Sequence, residues 1–431
     1  MARQMKNSGI SYFGEIPTTW QVVRNGFLFR NTKTIVLPNK EYQLLSLTTK
    51  GVRKKDINDT SGKVPENYNG YQIVHPKDMV MCLFDIDCSA VFSGLSNYYG
   101  MISPAYKILK CHSEIMPEYA QYVFSYIGGK RLYKQYSKNL RYTLNIDDFM
   151  ALKLVLPPLA EQKTIADFLD TKCAEIDGLL ADLDAEINVL QNYKKSIIAE
   201  VTTQGLNPNV KMKPSGIDWI GEIPAHWQVV PFRSYVVERA EKNLGGRNQN
   251  LLALSFALGV TRYADKKYNM DRVKDDFSGY QIVHEKDLVL SPNDIIKGSI
   301  FVSEYKGCIS PMYRVFSNYD QNTYNLYYLS YHLRTKESGR KFFYIARGLI
   351  GEMLDNGKYV TRRMSVSQQD LLKFKVLLPP IEEQDEIVRY LDLKCASIEQ
   401  AIKDKYNQIE TLKAYRASLI YEYVTGKKQV I

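Results

Sequence analysis

This sequence is poor in the residues that most metal and redox chemistry requires. Its 431 residues include six cysteines and five histidines. Cys82, Cys88, Cys111, Cys173, Cys308 and Cys395 form no CxxC pair, and no histidine stands at zinc-ligand spacing from them. Neither a disulfide framework nor a zinc site is supported, so reduced thiols are expected. No window reaches the ~18 apolar residues of a membrane helix. The N-terminal MARQMKNSG lacks the apolar stretch of a signal peptide. A cytoplasmic protein with no membrane partner is therefore expected. There is no GxxxxGK(S/T) phosphate loop, no GxGxxG opening a helix and no NPP(Y/F)-type tetrapeptide. No nucleophile triad, metal cluster or pair of catalytic carboxylates stands out. These absences favour a binding protein over an enzyme.

The chain does contain itself twice. GEIPTTWQVV (14–23) returns as GEIPAHWQVV (221–230), and GYQIVHPKDMV (70–80) as GYQIVHEKDLV (279–289). ISPAYKI (102–108) returns as ISPMYRV (309–315), LPPLAEQ (156–162) as LPPIEEQ (378–384), and LDTKC (169–173) as LDLKC (391–395). A solenoid repeats every 20–50 residues or so; a repeat of about two hundred means two domains. The offset grows from 207 to 222 between Ile309 and Leu378, so the second copy carries 15 extra residues there.

Each copy divides into a globular part and a helix. Pro157 and Pro158 end a strand-like LKLVL, since proline cannot donate to a ladder. Beyond them Ile165, Leu169, Cys173, Ile176, Leu180, Leu183, Ile187, Leu190, Lys194, Ile197 and Val201 step by three and four. The same seam runs from Ile387 to Tyr423. A stripe this narrow must be covered by another helix. The two helices are expected to pair antiparallel, each roughly 60 Å long at 1.5 Å per residue. The boundaries read 1–157 for the first module, 158–205 for the first helix, 206–378 for the second module and 379–431 for the second helix. Inside the modules, YQIV and KDMVMCLF suggest strand, turn and strand. YAQYVFSYIGGKRLYKQYS and YNLYYLSYHLRTKESGRKFFY each suggest a helix. The class is α+β: two mixed modules joined by long helices.

Charge follows the same division. Lys and Arg outnumber Asp and Glu by 20 to 12 in residues 1–157 and by 25 to 17 in 206–378. The helical segments are acidic, with 4 against 9 and 8 against 9. Two basic lobes fit a polyanion held at two places.

In order, GEIPxxW, GYQIVxxKD, ISPxY and LPPxxEQ leading into a long helix, all twice, resemble the specificity subunits of type I restriction-modification systems. The resemblance covers nearly the whole chain; LPPLAEQKTIADFLD and the closing YRASLIYEYVTGK are close to the family's usual wording. It implies two target recognition domains, each reading half of a bipartite site in double-stranded DNA, spaced by an antiparallel coiled coil. It implies no catalysis and no cofactor in this chain. Two modification subunits would bring S-adenosylmethionine and methylate adenine, one in each half-site. Restriction subunits would add translocation and cleavage with ATP and Mg. Two linked readers on one face of DNA would contact half-sites about 10–10.5 bp apart, and because the modules differ the target should be asymmetric.

The residue candidates come from charge and from divergence between matched flanks. Lys50, Arg53, Lys54 and Lys55 form a basic run in the first module, with Arg262, Lys266 and Lys267 as rough counterparts. Phosphate contact is expected there, against the alternative of a solvated surface. After KDMV, Leu83–Ser89 diverges from Ser291–Lys297, and Asn293 and Lys297 have the chemistry for base edges. Arg141 and Tyr142, and Arg362 and Arg363, precede the last strand of each module and are candidates because family members often have a basic residue there. Trp20 and Trp227 are expected to be packing anchors rather than base stackers. His75 and His284 lack a repeated Cys or Ser nearby and read as core or strand-end residues. The competing functions are an autonomous DNA-acting enzyme, such as a nuclease, and a bare coiled-coil scaffold, which would leave both basic lobes unexplained.

Overall fold

The computed structural model describes residues 3–37, 41–56, 67–256, 258–265, 276–348, 352–353, 359–360 and 364–430. It has two compact units: Met1–Asp184 with Tyr406–Ile431, and Ala185–Lys405. Each unit holds one module, the first part of the helix that follows it, and the last part of the other long helix.

The first unit is a set of small antiparallel sheets. Its four-stranded sheet runs Phe29–Thr32, Lys107–Cys111, Met79–Met81, Ser93–Leu95. Beside it lie the hairpin Leu45–Thr48/Gly51–Lys54 and the pairs Gln72–Val74/Gly100–Ile102, Gln21–Arg24/Lys153–Leu156 and Met5–Asn7/Glu15–Pro17. The second unit repeats every one. Its four-stranded sheet is Val236–Glu238, Arg314–Asn318, Leu288–Leu290, Ile300–Val302, and its hairpin is Leu252–Ser255/Gly259–Arg262. It adds one pair, Glu352–Met353/Tyr359–Val360. The α+β class therefore holds. The expected strand, turn and strand at YQIV–KDMVMCLF are present, but the two strands do not pair with each other. Gln72–Val74 pairs with Gly100–Ile102, and Met79–Met81 lies in the four-stranded sheet.

Two expected helices are shorter than their apolar pattern. The first, Pro117–Gly129, stops at two glycines, and Arg131 (φ 53°) turns the chain into a 3-10 segment, Leu132–Tyr136. The second is two helices, Leu326–Leu333 and Lys336–Ile345. Thr335 sits between them in extended backbone, and its hydroxyl accepts from Ser338 N, which starts a new helix instead of continuing the old one.

The long helices run Leu159–Gln204 and Ile381–Val424. Their antiparallel sense is seen within each unit. In the first, Phe168 meets Tyr423 at 4.5 Å between ring centroids, while Asp177 meets Arg416 at 3.6 Å. In the second, Glu186 pairs with Lys405 and Lys194 with Glu399. Asp177–Arg416 and Glu399–Lys194 are repeat equivalents, 222 residues apart on each side. The seam residues Ile165, Leu169, Cys173 and Ile176 share one core with Leu419, Ile420, Tyr423 and Val424 and with the first module. Ile197, Val201, Ile387, Leu391 and Cys395 share a core with Trp227 and Tyr328 of the second. The narrow stripe is thus covered by both the partner helix and the module. All six cysteines are free. Among the described residues no helix is long and apolar enough to cross a membrane.

One core residue predicts a pH effect. His332 is fully buried, flanked by Trp219 and Tyr328, and neither ring nitrogen has a partner. Burial pulls its pKa down from 6.5 to about 4. Between those values the unfolded chain binds a proton that the folded chain refuses. Stability is therefore lost as pH falls from 6.5 towards 4, by about 3 kcal/mol for a shift of this size. Val123 holds the corresponding place in the first unit. His332→Val should flatten that part of the acid limb, read by urea unfolding at pH 7 and pH 4.5; an unchanged pH slope would refute it.

Candidate nucleic-acid interface

The repeated words of the sequence are joints that fix each module to its helix. Trp20 Nε1 donates to Glu161 at 3.0 Å, and Trp227 Nε1 donates to Glu383 at 2.8 Å. Both indoles are fully buried, as expected of packing anchors. Arg3 also pairs with Glu161, and His226 Nε2 lies 2.5 Å from Glu383. The next residue in each motif is a buried glutamine. Gln162 accepts from Met116 N (2.8 Å) and donates to the carbonyls of Glu114 and Pro157 (both 2.9 Å). Gln384 accepts from Asn325 N (2.8 Å) and donates to Thr323 O (3.0 Å) and Pro379 O (2.8 Å). About two turns further along each helix, Tyr122 donates to Asp170 and Tyr331 to Asp392.

GYQIVHxKD is a turn. Lys77 (φ 69°) and Lys286 (φ 67°) occupy its left-handed position, and the buried carboxylates of Asp78 and Asp287 accept from the backbone N–H of His75 and His284. The side chains of both histidines stand at strand ends, partly exposed.

The basic run of the first module divides over two faces. Lys50 and Arg53 line a groove of about 1020 Å³ within the first unit, which also holds the carboxylates of Asp170, Asp177 and Glu410. Lys54 and Lys55 line a separate, shallower concavity with Gln43 and Asp56. Lys54 Nζ lies 5.3 Å from the Tyr98 ring centroid, and in the second unit Arg262 lies 5.2 Å from the Tyr305 ring. These are register equivalents: Lys54 pairs with Leu45 across its hairpin, and Arg262 with Leu252. The aromatic partners went unnoticed in the sequence because they lie on a different segment. Lys266, Lys267, Arg362 and Arg363 lie outside the described residues.

Two candidate segments of the first module come together. Leu83–Ser89 and the loop holding Arg141 and Tyr142 are joined by backbone bonds: Asp85 N to Arg141 O (2.9 Å), Ile86 N to Tyr142 O (3.4 Å) and Leu144 N to Leu83 O (2.8 Å). Arg141 also clasps Asp85 through both oxygens, at 3.0 and 2.7 Å. These bonds hold the Asp85 carboxyl below its ordinary range and raise the guanidinium. Lys134 lies 4.5 Å from the ring centroid of Tyr142. In the second unit the same bridge recurs, from Val366 N to Pro292 O (3.1 Å). Asn293 and Lys297 sit beside it, Asn293 half-buried and Lys297 exposed at the end of a 3-10 turn before Gly298.

Comparisons with known proteins agree with this arrangement. The family described as "Type I restriction modification DNA specificity domain" matches residues 261–411. A putative type I restriction enzyme MjaX specificity subunit of Methanocaldococcus jannaschii is 26% identical over 330 residues, 74% of this chain and 69% of that one. The MjaVIII specificity subunit of the same organism is 26% identical over 232 residues, 51% of this chain and 50% of its own length. The EcoKI specificity subunit of Escherichia coli is 21% identical over 68% of this chain and 64% of its own. In fold, a chain from a solved type I R-M system superposes with a TM-score of 0.66 at 16% identity, covering 96% of this chain and 99% of that one. The family match over residues 261–411, the curated relatives and the shared fold make this chain similar to the specificity subunits of type I restriction-modification systems.

Proposed function

We propose that this chain is the DNA-specificity subunit of a type I complex, reading an asymmetric bipartite target with one module per half-site. The division is 1–157 and 206–378 for the readers, 158–205 and 379–431 for the helices. The observation that carries this reading is the doubled module: identical joints and sheets, but different exposed loops. A non-catalytic reader needs a constant attachment and a variable surface, and the chain has both. Double-stranded DNA is the ligand. Two modification subunits carrying S-adenosylmethionine, and restriction subunits using ATP and Mg, are the proposed partners, acting in the cytoplasm. The test is co-expression with the modification subunits and mapping of methylated adenines. A two-part motif with adenines in both halves is expected. The chain alone should neither methylate nor cleave; either activity in the pure chain would favour the autonomous-enzyme reading.

The basic residues give a second measurement. Lys54 and Lys55 line a concavity apart from the groove whose carboxylates neighbour Lys50 and Arg53, so they are the first phosphate candidates of this hairpin. Replacing both with Gln should reduce the slope of log affinity against log salt by about 0.9 per lost contact. An unchanged slope in the assembled complex would remove them from the interface.

A further inference from the structure

The two modules differ most at one place, and the bridges locate it. In the first unit Lys138 and Thr143 face each other in a β-bridge that encloses the four residues 139–142. In the second unit the bridge is Arg347–Ser365, enclosing the seventeen residues 348–364. The next anchors match again, Leu144 to Leu83 and Val366 to Pro292. The second module's extra length is therefore concentrated in this one loop. Its added pair, Glu352–Met353/Tyr359–Val360, lies inside it. The bridge at the loop's base and the anchor beyond it are shared, and the loop's length is not.

In the first module this finger is tightly held. Asn139 (φ 69°) and Tyr142 (φ 41°) both occupy the left-handed region, as do Asp85 (φ 51°) and Arg131 (φ 53°) around them. These are four of the six non-glycine residues with positive φ among those described. Side chains rarely adopt this backbone, and it persists only where the surroundings fix it. Here the Asp85–Arg141 clasp, the Lys138–Thr143 bridge and Lys134 over Tyr142 do so. The tip that all of this presents is Leu140, 100% exposed. A lone exposed leucine needs no explanation; one at the summit of a strained loop held by three contacts does.

Resting on the proposed function, we propose that finger 139–142 is the base-reading element of the first module. Leu140 is a specificity residue that contacts the C5 methyl of a thymine in the first half-site. Arg141 and Asp85 are positioning residues: the clasp joins Nε and one terminal nitrogen of the guanidinium to both carboxylate oxygens, so Arg141 holds the finger. A polyanion with apolar methyl groups in its major groove matches an exposed leucine on a finger preceded in sequence by Arg131, Lys134 and Lys138, the last paired with Asp148 at 2.9 Å. A module that must read a different half-site then changes the finger and keeps its base, which is the pattern across the two units.

The test uses the full chain assembled with its modification subunits, with methylated adenines mapped across a genome. The wild-type complex comes first, because failure to methylate any bipartite motif would defeat the proposed function itself. Given that motif, Leu140→Ala should relax one base position in the half-site read by residues 1–157, with methylation at the substituted base rising on the order of 10-fold. The other half-site should be unchanged. Arg141→Ala and Asp85→Ala should relax the same position without moving the unfolding midpoint, and Arg141→Lys should restore part of the preference. An unchanged motif in Leu140→Ala and Leu140→Arg would overturn the proposal. So would a uniform loss of methylation with the motif intact, which would assign the finger to a protein partner.

Discussion

Gln384→Leu should destabilise the second unit by about 3–5 kcal/mol, although it replaces one side chain with another of similar size. The wild-type amide satisfies three backbone groups around the helix start: Asn325 N, Thr323 O and Pro379 O. Gln384 is fully buried, so leucine would leave all three groups unpaired without admitting water. An orphaned buried donor or acceptor costs about 1–3 kcal/mol. Neighbouring orphans share some relaxation, so the sum falls below three times the upper figure. Gln162→Leu should do the same to the first unit through Met116 N, Glu114 O and Pro157 O. The indoles report the units separately, with Trp20 in the first and Trp219 and Trp227 in the second. Urea unfolding followed by fluorescence should show one transition move in each variant and the other stay. A loss below about 1 kcal/mol in both would mean that the glutamines are not the joints.

The sequence displayed these joints without explaining them. GEIPxxW and LPPxxEQ are both plainly repeated, yet what links them is a hydrogen bond from Trp20 to Glu161 across 141 residues. Long-range pairing leaves no periodic signature, whereas the helix seam does. That is why Ile165, Leu169 and Cys173 were legible as core and Gln162 was not. The same limit applied to the finger. Offsets confined the extra residues to the stretch between Ile309 and Leu378, because matched words are needed to measure an offset and the intervening sequence has diverged. Backbone bridges at Lys138–Thr143 and Arg347–Ser365 survive that divergence and mark the ends of the loop. Arg141 was legible as a basic residue before the last strand of its module. Its occupation by Asp85 was not, since the two are 56 residues apart. The break at Thr335 was legible in part: a threonine is a favoured N-cap and Glu337 falls in the first turn after it, but the apolar and aromatic run around it suggested one helix.

Lengthening both long helices by four residues, one insert after Asp184 and one after Lys405, should widen the gap in the recognised sequence and leave both half-sites as they are. The inserts fall where the first unit ends and the second begins on each helix. Every joint and every helix pair within a unit therefore keeps its residues: Asp177 with Arg416, Glu186 with Lys405 and Lys194 with Glu399. Four residues add about 6 Å and close to one full turn, so the apolar seam stays roughly in phase. Against the ~3.4 Å rise of a base pair, that is one or two extra base pairs in the spacer. Two residues at each position would instead rotate the seam by roughly 200°, taking Ile187 and Leu190 off their line with Leu180 and Leu183, and should abolish assembly. An insert in one helix alone should do nearly as much harm, because it displaces one helix of a pair by a turn against the other. The reading that the helices set the spacing stands or falls on the double insert. Methylated adenines with an unchanged spacer, in a complex still fully active, would show that something other than these helices sets the distance.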